Sequence, residues 1–353
     1  MRLLHFEKLQ PICPTCKKNG QISSLAVTTF EESQGDVISG LLTCTGFNCG
    51  RSYPIMFGCP ILVPDLEAWL STNLHLILQT EISDPNIENF ISETVSPDLV
   101  FSVMRQQQSS YCADHYREEF SKNIVDQQTN NSFSTIRHCL NTALECMPAN
   151  GSACIDIGCA VGGTTFDIAT KRQALTIGID LNWPLLGIAR KALNEGVISY
   201  PHRIIGNRYE RRTARVSYPS NDLCDFWVAD ANCLPFKQKS FGLAIGLNII
   251  DCLAAPEEFL AALLETVIEG GGVSIACSFD WASHATPQKN WLYGEVKLDE
   301  IINTLIVNTI DEKRSFIMKS PPKDVEWRLH LHERSEINYL TRLYMMEVSV
   351  QKA

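Results

Sequence analysis

The chain has 353 residues, 45% hydrophobic and 20% charged, with a formal net charge of −10. That balance suits a folded chain of about two domains at roughly 150 residues each, and the negative charge argues against a general nucleic-acid binder, whose affinity rests on neutralising phosphates. No run of about 18 apolar residues is present and the start MRLLHFEKLQPIC lacks the long apolar stretch of an export signal, so the reading is a cytoplasmic protein without a membrane anchor, its 14 cysteines mostly reduced.

The first element, residues 1–64, carries two cysteine pairs, Cys13 and Cys16 in CPTC and Cys44 and Cys49 in CTGFNC. Two knuckles of this kind bring four thiolates to one tetrahedral zinc ion, and the strand-like pieces between them fit a zinc ribbon. The second gap is wider than usual, and four ordinary buried cysteines are the alternative. A filled four-cysteine site leaves no open position, so its zinc would stabilise the fold rather than catalyse. With YPIMFGCPILVP after them, these stretches resemble the small zinc-ribbon proteins that partner and activate tRNA and protein methyltransferases. The resemblance covers about residues 9–64 and implies a methyltransferase partner, here on the same chain.

Residues 65–150 show helical periodicity in pieces such as LEAWLSTNLHLILQ, punctuated by Pro85 and Pro97. They predict several helices bridging the ribbon to the next domain. Tyr111, His115 and Glu118 fall on one helical face. That face is either solvated or a lid over the neighbouring pocket, with Tyr111 and His115 against the substrate.

Residues 151–353 alternate strands and helices, which implies a doubly wound α/β parallel sheet with ligands at the carboxyl ends of its strands. ACIDIG ends in a glycine turn, LTIGID ends at Asp180, CDFWVAD ends at Asp230, and SFGLAIGLNI and VSIACSF follow. Three features meet at those ends. The turn Gly158–Gly162 lets a ligand approach the backbone. Asp180, about 20 residues on, suits a ribose diol. Asp230 can accept from an adenine amino group while the Ala231 amide donates to the ring. A nicotinamide dehydrogenase explains the first two but not the third.

DANCLPF, a strand, then EGGG before another strand strongly resemble class I S-adenosylmethionine (SAM) methyltransferases over about residues 150–280. The resemblance implies a seven-stranded Rossmann-like sheet with an antiparallel last strand, and SAM as methyl donor leaving as S-adenosylhomocysteine. It places Asp156 and Gly158 near the methionine amino group, Asp180 and Leu181 at the ribose, and Asp230 and Ala231 at the adenine. It adds Cys159, Ala160, Gly162 and Asn248 to the cofactor site. One departure is Ala160, where the common turn has its middle glycine.

The acceptor pocket is expected where the fourth and fifth strands end. Asn248 and Asp251 can point polar groups into that cleft, and Asp280, Trp281 and Trp291 can wall it. GCAVGG, NIIDCL and SFDWASHATPQKNWLYG resemble the methyltransferase domain of ovothiol biosynthesis, which methylates a ring nitrogen of mercaptohistidine. Cys252 and the stretch Ser278–Trp281 depart from that pattern. The implied acceptor is a small imidazole, amine or amino-acid-like metabolite, with Asp251 orienting or deprotonating it. A helix N-cap before AAPEEFLAAL is the structural alternative for Asp251.

Residues 197–224 read as a β-hairpin insertion holding Arg203, Arg208, Arg211, Arg212 and Arg215 around Glu210. It is either a solvated face or a clamp for an anionic acceptor, with Arg208 and Arg212 as contacts. DVEWRLHLHERSEINYLTRLYMMEVSVQ supplies two extended segments, expected as the sixth strand and the antiparallel seventh. His330 and His332 share a strand face, a spacing that could ligate a metal, with no third ligand assigned. Two rivals remain. One is an RNA methyltransferase docking through ribbon and hairpin, although the ribbon has only Arg2, Lys8, Lys17, Lys18 and Arg51 against four acids. The other is a non-catalytic SAM-binding scaffold. Neither the acceptor's identity nor the oligomeric state is legible at this level.

Overall fold

The computed structural model describes residues 1–79, 84–121, 133–218, 221–292, 294–308 and 312–352. The N-terminal unit has helices α1 (Leu3–Leu9) and α2 (Pro14–Lys18) and an antiparallel meander of β1 (Leu25–Ser33), β2 (Asp36–Cys44), β3 (Ser52–Met56) and β4 (Cys59–Leu62). Five helices follow: α3 (Leu66–Ile77), α4 (Pro85–Thr94), α5 (Val100–His115), α6 (Arg117–Ser121) and α7 (Thr135–Cys146). Their starts are written in the sequence. Asp65, Asp84 and Ser134 cap α3, α4 and α7 by accepting backbone N–H bonds, and Pro85 opens α4.

The main sheet is built by β5 (Cys154–Ile157), α8 (Gly163–Arg172), β6 (Thr176–Asp180), α9 (Trp183–Glu195), the separate hairpin β7 (Val197–Ile205) and β8 (Arg208–Arg215), β9 (Cys224–Ala229), β10 (Phe241–Gly246), α10 (Pro256–Thr266) and β11 (Val267–Cys277). Then come α11 (Gly294–Thr304), β12 (Ile306–Asn308), β13 (Glu312–Met318), β14 (Lys323–His332) and β15 (Ser335–Lys352). Every residue of β5, β9 and β10 is buried, the pattern of parallel strands covered on both faces.

From β9 to β13 the strand order is β9-β6-β5-β10-β11-β15-β13, with β15 antiparallel to both neighbours. This is the doubly wound, Rossmann-like, seven-stranded sheet expected. The C-terminal assignment needs correction, because the sixth strand in chain order is β13, not the DVEWRLHLH segment. That segment is β14, an extra arm that pairs with the first half of the 18-residue β15. The long β15 serves three partners, β14 along its first half and β11 and β13 along its second, so one strand borders both the sheet and a hairpin.

The ribbon joins this sheet edge to edge. β4 runs parallel to β9, with Ile61 opposite Val228 and Leu62 opposite Ala229. Leu42, Tyr53, Ile55 and Leu62 share one core with Trp227 and Phe236, each buried aliphatic side chain contributing about 1.5–3 kcal/mol. Arg190 on α9 donates to Phe57 O at 3.2 Å and pairs with fully buried Asp225 at 2.9 Å, tying ribbon to sheet.

Candidate functional site

The turn between β5 and α8 is built by its backbone. Gly158 and Cys159 N–H groups donate to Ile179 O at 2.8 and 3.0 Å, and Ala160 N–H donates to Asp180 at 3.0 Å. Gly162 has φ +84°, and a Cβ there would come within 2.7 Å of Ala189 and Phe226. Its glycine is therefore demanded by packing against the sheet as well as by backbone conformation. Ala160 also lies in the left-handed region, at φ +49°, where an alanine costs on the order of 1 kcal/mol or more. Asp156 accepts from the hydroxyls of Thr164 and Thr165, both at 2.7 Å. Burial pushes its pKa up to about 6, against those two hydrogen bonds.

A cavity of about 850 Å³ opens at the carboxyl ends of β5, β6, β9 and β10. Asp156, Gly158, Ala160, Asp180, Leu181, Asp230, Ala231 and Asn248 line it, whereas Cys159 and Gly162 lie outside the lining. Asp180 uses one oxygen for Ala160 N–H and the other for Asn182 N–H at 2.8 Å, while burial raises its pKa. Each oxygen keeps a lone pair for a ligand hydroxyl. Asp230 accepts Asn232 N–H at 2.9 Å through one oxygen, fixing the turn that aims it.

The lid reading of 65–150 places two residues on the cavity wall. Tyr111 and His115 of α5 line it, while Glu118 turns instead to Arg137 at 2.5 Å. The Tyr116 hydroxyl donates to Val161 O at 2.5 Å, pinning α5 to the glycine turn. Trp69 on α3 donates to Leu181 O at 3.3 Å, and Asn182 donates to Gln107 at 3.1 Å. Burial, reinforced by Arg137, lowers the His115 pKa to about 3, so its ring is neutral, and its buried Nδ1 has no partner. Asn248 has φ +52° and accepts from the Thr341 hydroxyl, while its buried Nδ2 has no partner. Both residues line the cavity with a polar atom still unpartnered.

The remaining predicted site residues lie elsewhere. Asp251 is buried and accepts from Ser278 Oγ at 2.7 Å and Asp280 N–H at 3.0 Å, so it shapes the loop after β11. It does not cap α10, whose N-cap is Ala255. Asp280 accepts from Tyr339 at 2.8 Å, and the Trp281 and Trp291 rings stack at 6.2 Å. None of these four lines the cavity. Arg208 and Arg212 are also outside it. Arg208 pairs with Glu93 at 3.5 Å, Arg211 with Glu88 at 2.8 Å, and Arg212 with Glu210 and Glu333 at 2.7 and 2.9 Å.

Sequence reasoning missed Lys17, Gln107, Cys252 and Trp327, all of which line the cavity. Lys17 belongs to the ribbon yet donates to Leu234 O at 2.7 Å and Phe236 O at 3.1 Å. Its only sequence signal is a place beside the Cys16 knuckle.

In the ribbon, Sγ atoms of Cys13 and Cys49 are 3.8 Å apart and those of Cys16 and Cys44 3.7 Å. All four lie within 4.8 Å of one another. Four thiolates about 2.3 Å from a tetrahedral zinc would be about 3.8 Å apart. Cys16 N–H and Gly46 N–H point at Cys13 and Cys44 sulfur at 3.5 and 3.4 Å, as donors to thiolate ligands do. All 14 cysteines are free thiols, and among the described residues no helix is long and apolar enough to cross a membrane.

No protein-family model matches the chain, and no curated protein does. Solved structures do. It is similar to the N-methyltransferase NodS from Bradyrhizobium japonicum WM9 in complex with S-adenosylhomocysteine, at 12% identity and TM-score 0.39 over 66% of this chain and 98% of that one. A chain of the complex of the Haloferax volcanii Trm112 methyltransferase activator matches at 15% identity and TM-score 0.36, over 67% and 97%. Haemonchus contortus phosphoethanolamine N-methyltransferase 2, bound to SAM, matches at 14% and 0.38 over 62% of this chain. The match covers 46% of that enzyme.

Proposed function

We propose that this chain is a class I SAM-dependent methyltransferase for a small-molecule acceptor, with a structural zinc ribbon of the activator type on the same polypeptide. One observation carries the reading. The glycine turn and the carboxylates of Asp180 and Asp230, at the ends of adjacent strands β6 and β9, face a single cavity. A ribose diol fits Asp180, an adenine amino group fits Asp230 with the Ala231 N–H beside it, and the methionine portion lies along Gly158 and Ala160.

SAM supplies an electrophilic methyl on a sulfonium, and transfer is a single displacement. The protein's contribution is alignment of nucleophile, carbon and sulfur, worth up to about 7–11 kcal/mol. Tyr111, His115, Trp327 and Asn248 form the wall left for the acceptor. A neutral imidazole and a free amide donor there suit an uncharged nitrogen nucleophile, such as a histidine-type ring or an amine. Asp251 acts through the loop that it holds. Arg208, Arg211 and Arg212 are engaged with acids, which speaks against these three serving as an anion clamp or RNA dock. Four thiolates at tetrahedral spacing fit zinc, which would hold the ribbon's knuckles together.

Calorimetric titration with S-adenosylhomocysteine tests the cofactor site. Asp180→Ala should weaken binding by about tenfold or more, about 1.4 kcal/mol, and equal affinity in variant and parent would sink the reading. Labelled SAM offered with small cytosolic metabolites and with total RNA then identifies the acceptor class. Label in the RNA pool overturns the small-molecule assignment.

A further inference from the structure

Away from the cavity, the insertion hairpin and the C-terminal hairpin bring three metal-binding side chains together. His202 is on β7, His330 on β14, and Glu333 in the turn joining β14 to β15. Each offers a ligand atom within 4.8 Å of the others. The imidazole rings lie nearly parallel, with centroids 4.9 Å apart and planes at 15°. Glu333 is 2.6 Å from His202 Nε2. Both histidines are buried, at 2% and 8% exposure. We propose that His202, His330 and Glu333 form a second metal site, for a divalent transition cation of the zinc class, which fastens the β7–β8 hairpin to the β14–β15 turn.

Three observations support it. His330 Nε2 is buried without a partner, so a polar atom of high ligand quality has nothing to bind. Each imidazole also has an outer partner on its other nitrogen. The Tyr200 hydroxyl is 3.5 Å from His202 Nδ1, and Glu336 is 4.0 Å from His330 Nδ1. His330 Nε2 is thus open to a metal, His202 Nε2 would exchange its 2.6 Å contact with Glu333 for the ion, and an outer group at Nδ1, as Tyr200 provides for His202, is how ligating histidines are oriented. Finally, Glu333 is 43% exposed, which gives a cation an entry path, and its N–H donates to Ile204 O at 3.2 Å, so the two hairpins already touch.

The donor set matches borderline cations, since imidazole and carboxylate together suit zinc and its neighbours. Three protein ligands leave the fourth tetrahedral position to water. Arg212 lies 2.9 Å from the Glu333 oxygen that faces His202, and Glu210 at 2.7 Å remains its partner when Glu333 turns to the ion. Arg117, 3.6 Å from Glu336, balances the outer carboxylate. In the sequence, the His330–His332 pair marked one of the three ligands of this site, His330. His332 does not join it, and its Nδ1 accepts from Arg334 N–H at 3.2 Å. The other two ligands are Glu333, beside that pair, and His202, distant in sequence.

The test uses the full-length chain, stripped with a chelator under reducing conditions and titrated with zinc. The four-cysteine ribbon is a built-in control, counted by thiol reactivity. Wild type should retain one more zinc per chain than His330→Asn or His202→Asn, with thiol protection in the ribbon unchanged. Glu333→Gln alters a partly exposed side chain, keeps the fold even if a histidine variant does not, and should weaken the extra site by about tenfold. Cobalt(II) at this site should add a visible spectrum without sulfur charge-transfer bands. Equal zinc content in wild type and Glu333→Gln, with no cobalt signal beyond that of the thiolates, overturns the proposal.

Discussion

Asp156 shows how one buried carboxylate sets a pH dependence. Burial raises its pKa to about 6 in the folded protein, against about 3.9 unfolded. Between those values the native state binds a proton that the unfolded state has released. Stability therefore falls as pH rises from 4 to 6, and the loss is complete above the folded value, on the order of 3 kcal/mol. Asp156→Asn keeps an acceptor for Thr164 and Thr165 and removes the titration. Denaturant melts at pH 4 and pH 7 should show wild type losing more stability than the variant, and parallel slopes would refute this. Asp180 and Asp230 were legible because each ends a buried apolar run, which is where a parallel sheet opens. Lys17 and Trp327 were not, because neither stands in a periodic pattern and only the topology brings them to the cavity.

Among the elements, α5 walls the cavity through Gln107, Tyr111 and His115. It is fixed by the Tyr116 hydrogen bond to Val161 O and by Asp114, which accepts from Thr135 N–H at 2.9 Å and the Trp327 indole at 3.1 Å. Tyr116→Phe leaves a buried carbonyl unsatisfied, at about 1–3 kcal/mol. The expected outcome is lower stability and several-fold weaker S-adenosylhomocysteine binding, with the far-ultraviolet spectrum unchanged. Full affinity in the variant would show that α5 does not help to hold the ligand. The helices of this region could be read from caps and prolines. The strand order at the C-terminus could not, since β13 and β14 are both short alternating segments and only pairing along β15 tells them apart. Likewise, the aromatic pair Trp281 and Trp291 looked like a pocket wall but stacks on itself.

At the scale of the whole molecule, all the described strands except the β7–β8 hairpin make one sheet, from the ribbon meander through β9 to the far edge at β12. The ribbon covers what would otherwise be an exposed edge of β9, a liability for aggregation. On the proposed zinc site, chelation or Cys44→Ser should therefore expose that edge. Hydrogen exchange should rise at β4 and in β9 around Val228 and Ala229, while β5 and β10 stay protected. Uniform protection in the metal-free protein would show that the shared core alone holds the ribbon in place.

Only Val63, Pro64 and Asp65 separate β4 from α3, which is docked beside the sheet by the Trp69 bond to Leu181 O, and this short connection has a kinetic consequence. When β4 parts from β9, the ribbon cannot diffuse away, so separation is a local opening with a rate independent of dilution. The tether keeps the effective concentration of one edge for the other high, of millimolar order for a short linker. Ribbon and sheet are thus held at a fixed one-to-one ratio, and no competing edge in solution at ordinary protein concentrations can displace the pairing by mass action.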